Sequence, residues 1–161
     1  MTIATKQDKE RVQKYLEQFS TLTLASCVEN KPWAATVFFS SDADLNLYFV
    51  SDYRTHHGRD MAENPQVAVT VNPDCDNWHD VHGVQLTGTA SVADGMQRAK
   101  ALLLYLKKFP QIDALYAKPK GEHEETIAKR LKAANFYCIR PDWLRFIDNA
   151  QGFGHREEFE F

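Results

Sequence analysis

No stretch of this 161-residue chain approaches the roughly 20 consecutive apolar residues of a membrane-spanning helix. The opening residues, Met-Thr-Ile-Ala-Thr-Lys-Gln-Asp-Lys-Glu, hold no continuous apolar segment, so a secretion signal is not expected. Cysteine is scarce. Cys27, Cys75 and Cys138 are odd in number and far apart, which argues against a disulfide framework and for a reducing, cytoplasmic setting. Positive charge is not in excess. Nineteen Lys and Arg face 22 Asp and Glu, so no basic field points to nucleic acid or to an anionic membrane. Only seven glycines occur, and none builds a P-loop or a G-x-G-x-x-G turn; Gly152-Phe153-Gly154 follows no βαβ pattern. G-x-S-x-G is absent, and no cysteine lies in a recognisable catalytic setting. No repeat, low-complexity tract or linker breaks the chain, so one domain over 1–161 is expected.

What is present suits a packed core: 43% hydrophobic and 12% aromatic residues are too many for disorder. Thr5 to Phe19 reads as a helix, with Val12, Tyr15, Leu16 and Phe19 on one face. Thr21–Val28, Trp33–Ser40 and Leu45–Ser51 read as successive strands. Asn30-Lys31-Pro32 and Ser41–Asp44 are the expected turns. This hairpin order predicts an antiparallel sheet or barrel. A short helix over Arg54–Glu63 stops at Asn64-Pro65, and strands follow over Gln66–Asn72 and His82–Ala93, with Gly83 and Gly88 as bulge sites. Asp94 caps a helix that Pro110 ends, apolar over a wide arc. Gln111–Lys132 reads as irregular and then helical from Glu122. Ala134–Arg140 and Trp143–Asp148 read as two strands parted by Pro141-Asp142. The fold class is α+β, mainly β.

Three places gather chemistry. Ser51, Arg54, Thr55, His56 and His57 crowd a strand-to-helix turn, where hydroxyls, imidazoles and backbone amides suit an anion such as phosphate. The plainer reading is a solvated turn with an N-cap. Cys75, His79 and His82 are metal-competent but match no strong zinc spacing, so no metal is expected, and His82 stands out because it opens a strand. The tail Asp148–Arg156 places two glycines around Phe153, either a flap over a ligand or a turn whose Phe plugs the core.

The segments T-L-T-L-A-S-C, K-P-W-A-A-T-V-F-F, L-Y-F-V-S-D-Y-R-T-H-H, A-E-N-P-Q-V-A-V-T-V and G-V-Q-L-T-G-T-A cover Ser20 to Ala93. In that order they resemble the FMN-binding split-barrel superfamily, the pyridoxamine 5′-phosphate oxidase-like proteins. The ending D-N-A-Q-G-F-G resembles a branch of small members. The resemblance implies a homodimer of small antiparallel split barrels with flavin in clefts at the interface. Carried over by motif, it implies that Thr36, Val37 and Phe38 line the isoalloxazine and that Val50 and Ser51 lie beside ring and ribityl chain. It further implies that Thr55, His56 and His57 stand at the phosphate, and that Gln85 reaches the flavin. Basic residues that the family places on the second strand and after the third are here Thr36-Val37-Phe38-Phe39 and His56-His57. A weaker or pH-dependent hold on phosphate is therefore expected.

The leading expectation is an FMN-binding protein, an oxidoreductase acting on an unidentified small molecule or electron donor, with no side chain assigned as catalytic. The alternatives are a haem-binding or haem-handling split barrel, with His79, His82 or His155 as iron ligands, and a non-enzymatic module binding flavin or another small molecule.

Overall fold

Alternation decides the architecture. In β2 (Thr21–Val28) Leu22, Leu24 and Ser26 are buried while Thr21, Thr23 and Cys27 are exposed. In β5 (Gln66–Val71) Val67, Val69 and Val71 are buried and Gln66 and Ala68 exposed. A sheet with one apolar face buries that face most simply by closing on itself. The computed structural model, which describes residues 2–161, shows this closure. Strands β7 (Asn135–Asp148), β4 (Leu47–Ser51), β3 (Lys31–Ser41), β2, β5 and β6 (His82–Val92) are joined in that order, each antiparallel to its neighbour, and a β6–β7 pairing completes the barrel. Strand β8 (Arg156–Glu160) flanks β7, and the two-residue β1 (Thr2–Ile3) lies parallel to it. The barrel is filled by Leu22, Leu24, Phe39, Phe49, Val69, Leu86, Ile139 and Leu144.

Helix α1 (Lys6–Leu16) is capped by Thr5, whose hydroxyl accepts from the Asp8 amide while the Asp8 carboxylate accepts from the Thr5 amide. The β2–β3 turn is Glu29-Asn30, with positive φ at both residues. That conformation belongs to the tight two-residue hairpin. The strand therefore starts earlier than the sequence suggests: Lys31 and Pro32 are already paired with Val28 and Cys27. Asp42 holds the β3–β4 connection, where its Oδ1 accepts from the amides of Asp44 and Asn46, each at 3.0 Å.

Helices α2 (His56–Glu63), α3 (Gly95–Lys108), α4 (Pro110–Ala117) and α5 (Gly121–Ala133) complete the fold. A second apolar cluster, of Tyr48, Ala101, Tyr105, Phe109 and Phe136, seats α3 on the outside of β4 and β7. The segment expected to be irregular from Gln111 is instead helical. Pro110 follows the end of α3 as expected and also begins the next helix, since proline is favoured at a first helical position. The two strands expected around Pro141 are one strand, and the irregularity falls in its pairing with β6, between Thr87 and Gly88. No helix among the described residues is long and apolar enough to cross a membrane.

One lysine is poorly solvated. Lys108 Nζ lies 3.9 Å from the centroid of the Phe39 ring and donates to the Leu16 carbonyl at 3.3 Å. Burial pulls its pKa down to about 8 from the usual 10.5. Between those values the unfolded chain binds the proton more tightly, so stability should rise as pH climbs from about 8 towards 10.5. Lys108→Met should remove that rise, as read by urea denaturation at pH 7 and pH 9.5.

Candidate functional site

The strand-to-helix turn is built as its sequence suggests but largely satisfies itself. Thr55 caps α2 by accepting from the Gly58 amide at 3.1 Å and donating to the Asp52 carbonyl at 2.8 Å. Gly58 is required there, because a Cβ would sit 2.8 Å from the carbonyl oxygens of both Asp52 and Tyr53. His57 turns inward, and its Nε2 meets Ser51 Oγ at 2.7 Å. Burial lowers the His57 pKa, with nearby Asp60 opposing and His56 assisting. Arg54 is held by Asp52 through Nε at 2.9 Å and Nη2 at 2.6 Å. Arg59 donates to the Arg54 carbonyl. The side-chain cations of the turn thus already have partners.

His56 is different. Its ring stacks on Trp33, with centroids 4.2 Å apart and planes 9° from parallel. Its Nε2 lies 3.5 Å from Asp60 Oδ1, and Asp60 Oδ2 accepts from Ser26 Oγ at 2.6 Å. Ser26 and Asp60 are buried, whereas the imidazole is half-exposed. A buried carboxylate anchored by a hydroxyl therefore backs an imidazole that reaches the surface. Sequence reasoning named His56 but missed Asp60, Ser26 and Trp33. The His56–Asp60 pair was visible as an i,i+4 relation within the short helix. Ser26 joins it only through the packing of α2 on β2.

The remaining candidates divide by strand alternation. Thr36 and Phe38 face outward on β3, and Phe38 packs edge-to-face on Phe109 at 5.3 Å. Val37, between them, packs against the barrel core. Gln85 is exposed on β6, between Thr70 of β5 and Arg145 of β7. Val50 packs against the cluster under α3. The structure brings Ser51, Thr55, His56 and His57 together, and sets Thr36, Phe38 and Gln85 on the outer sheet face.

The histidines of the other loops are mostly engaged. His82 Nδ1 meets the Tyr15 hydroxyl at 2.9 Å, and His79 Nδ1 meets Asn77 Oδ1 at 2.9 Å. His155 Nε2 is buried without a hydrogen-bond partner among the described residues, 3.8 Å from Glu157 Oε1. The tail packs on the loop before β6: Asn149 Nδ2 donates to the Trp78 carbonyl at 2.7 Å, and Phe153 meets the Trp78 ring edge-on at 5.5 Å. Phe153 remains 82% exposed, so it does not plug the core. No group of three or more His, Cys, Asp or Glu side chains among the described residues could hold a metal ion.

Comparison with known proteins agrees with this architecture. The family profile described as pyridoxamine 5′-phosphate oxidase matches residues 8–148. A UPF0306 protein of Klebsiella pneumoniae (strain 342) is 28% identical over 146 residues, covering 90% of this chain and 88% of its own length. A haem-binding protein from Mycobacterium smegmatis superposes with a TM-score of 0.70 at 18% identity, over 98% of this chain and 58% of that one. For a putative pyridoxamine 5′-phosphate oxidase from Listeria innocua the TM-score is 0.62 at 18% identity, over 87% and 98% of the two chains. At such identities the likeness is one of fold. With the closed antiparallel barrel and a family match over most of its length, the chain belongs to the pyridoxamine 5′-phosphate oxidase-like split-barrel superfamily.

Proposed function

We propose that this protein binds haem beside the outer face of β2 and β3, with His56 as the iron ligand, in a cleft completed by a second copy of the chain. The observation that carries this reading is the placing of the Asp60 carboxylate, hydrogen-bonded by Ser26, 3.5 Å from His56 Nε2. Metal-ligating imidazoles characteristically pass their other ring N–H to a carboxylate, which fixes the ring and raises its basicity. Here Asp60 stands at Nε2, and no hydrogen bond from the described residues engages the other ring nitrogen. Trp33, stacked on the ring, adds apolar surface. The haem-binding protein of Mycobacterium smegmatis shares the fold, which supports the reading by analogy alone. Bound haem would supply iron-centred chemistry or be held as cargo; the chain's own residues would position it and exclude water.

Dimer formation is supported by the outer face itself. Thr23, Ala25, Thr36, Ala68, Thr70, Gln85 and Thr87 are small or uncharged, and paired registers place them side by side across four strands. An uncharged sheet face of that extent suits a second, identical face. The protein should sediment at twice its 18.5 kDa chain mass, and Ala68→Asp should return it to the monomer.

The test is a haemin titration followed at the Soret band, with His56→Ala beside the native chain. Loss of the iron ligand should weaken haem binding about tenfold or more. Equal titration of the two proteins would refute the assignment. FMN-dependent oxidoreductase activity is the second reading. It is favoured by the family match and by the first amides of α2, those of His56 and His57, which have no hydrogen-bond partner among the described residues. Flavin quenching on addition of FMN, with no Soret shift on addition of haemin, would put it first.

A further inference from the structure

On the other side of the β4–α2 turn, helix α5 leans over the end of β4 and encloses a groove of about 760 Å³. Its lining is mostly apolar: Val50, Tyr53, Ile127, Leu131, Ala133 and Ala134. Ile127, Arg130, Leu131 and Ala134 follow at helical spacing, so one face of the α5 end looks into it. Large apolar side chains are left open to solvent there, with Tyr53 65% and Ile127 36% exposed. A volume of this order suits a small organic ligand.

The charge of the groove is equally defined. Arg54 and Asp52 cancel each other through their two-bonded pair. Asp52 is held down to about 2, chiefly by Arg54, with the field of Arg130 contributing. The negative end of α5 is answered from elsewhere, because the Arg98 guanidinium donates to the carbonyls of Lys132 and Ala134. Arg130 alone has no ion-pair or hydrogen-bond partner among the described residues. One uncompensated positive charge at the rim of an apolar groove matches one kind of occupant. We infer that the groove between α5 and the β4–α2 turn binds an amphipathic organic monoanion, with Arg130 taking the anionic head and Ile127, Leu131 and Tyr53 covering its apolar body. A dianion or a plain inorganic ion would leave either charge or apolar surface unmatched. The groove shares Val50 and Ser51 with the expected cofactor residues, but its occupation does not depend on the haem reading.

The probe is 1-anilinonaphthalene-8-sulfonate, an aromatic monoanion whose fluorescence rises on burial, displaced by decanoate or by 1-decanol. Decanoate should displace it well and decanol poorly. Arg130→Gln should weaken the probe and decanoate about tenfold and leave decanol unchanged, since one charge-assisted contact is lost. Ile127→Asp should weaken all three. Both positions are exposed, and an unchanged circular dichroism melt would show that the variants fold. Equal displacement by acid and alcohol, or a probe indifferent to Arg130→Gln, would overturn the inference. His56→Ala should leave probe binding intact, so a failed haem assignment and a failed groove give different results.

Discussion

Replacing Asp42 by alanine should lower the unfolding free energy by about 3 kcal/mol, a large share of a domain's usual margin. The carboxylate is only 3% exposed and accepts from the amides of Asp44 and Asn46, the Asn46 side chain, the Tyr48 hydroxyl at 2.9 Å and Lys100 Nζ at 2.6 Å. Removing it leaves the Tyr48 hydroxyl, on a residue 1% exposed, without an acceptor. Lys100 is half-exposed and can turn to water, so its loss matters less. Leu45, buried with φ of 64°, also depends on this turn, because a leucine is rarely held in that conformation without support. Burial opposes ionisation of Asp42, but hydrogen bonds from Lys100, Asn46 and Tyr48 outweigh it and lower the pKa below the usual 3.8. Its contribution is therefore complete above that value and fades as pH falls through the lower folded-state value. Asp42→Asn should lose less, about 1–2 kcal/mol, because an acceptor remains. Urea denaturation at pH 7 and pH 3 measures both, and a native-like midpoint for Asp42→Ala at pH 7 would contradict the assigned network.

Gly88→Ala is expected to cost about 2–3 kcal/mol, lowering the melting temperature by about 5–10 °C. A Cβ at this position would run into the Arg140 carbonyl oxygen and stand 3.0 Å from its carbon and 3.1 Å from Pro141 Cα. Those atoms are backbone of the facing strand and cannot rotate away. The only relief is to part β6 from β7 where their register shifts, which is also where the barrel closes. Gly154→Ala is the matched control for glycine replacement in general. Nothing lies within 4 Å of a Cβ there, although its φ of 72° carries a backbone strain of its own. A larger loss at Gly154 than at Gly88 would show that steric closure of the seam is not the dominant effect.

The strands were legible because alternation survives in a barrel with one buried face, as in Val67, Val69 and Val71. The short helix was expected over Arg54–Glu63 and forms over His56–Glu63; Asn64-Pro65 marked its end, whereas Thr55, inside the expected span, proves to be its N-cap. Pro110 marked the end of α3, but its second role, as the first residue of α4, was not legible, because proline can both follow one helix and start another. Pro141 misled in a different way. It sits inside a continuous strand because the ladder is irregular opposite it, a property of β6 as much as of β7. At the candidate site, residue types were legible but directions were not. That His57 faces Ser51 while His56 faces Trp33 and Asp60 follows from neighbouring positions on a helix lying 100° apart. Which of the two turns outward depends on how α2 docks on β2. Alternation alone separates Val37, on the core side, from Thr36 and Phe38 on the outer face.

The seam between β6 and β7 joins His82 to Asp148 and Val92 to Tyr137, with α3, α4 and α5 between them in the chain. The hairpins of β2, β3 and β4 need only short loops, and β5 and β6 are neighbours in the chain, so these pairs can assemble early. Closing the seam brings together ends separated by a long connection, whose entropy must be lost before its contacts form. Refolding should therefore be slow for a chain of this length, in the millisecond-to-second range typical of non-local β topologies. Until closure, β6 and β7 present open edges to other chains, so crowded refolding should favour aggregation or exchange of strands between copies.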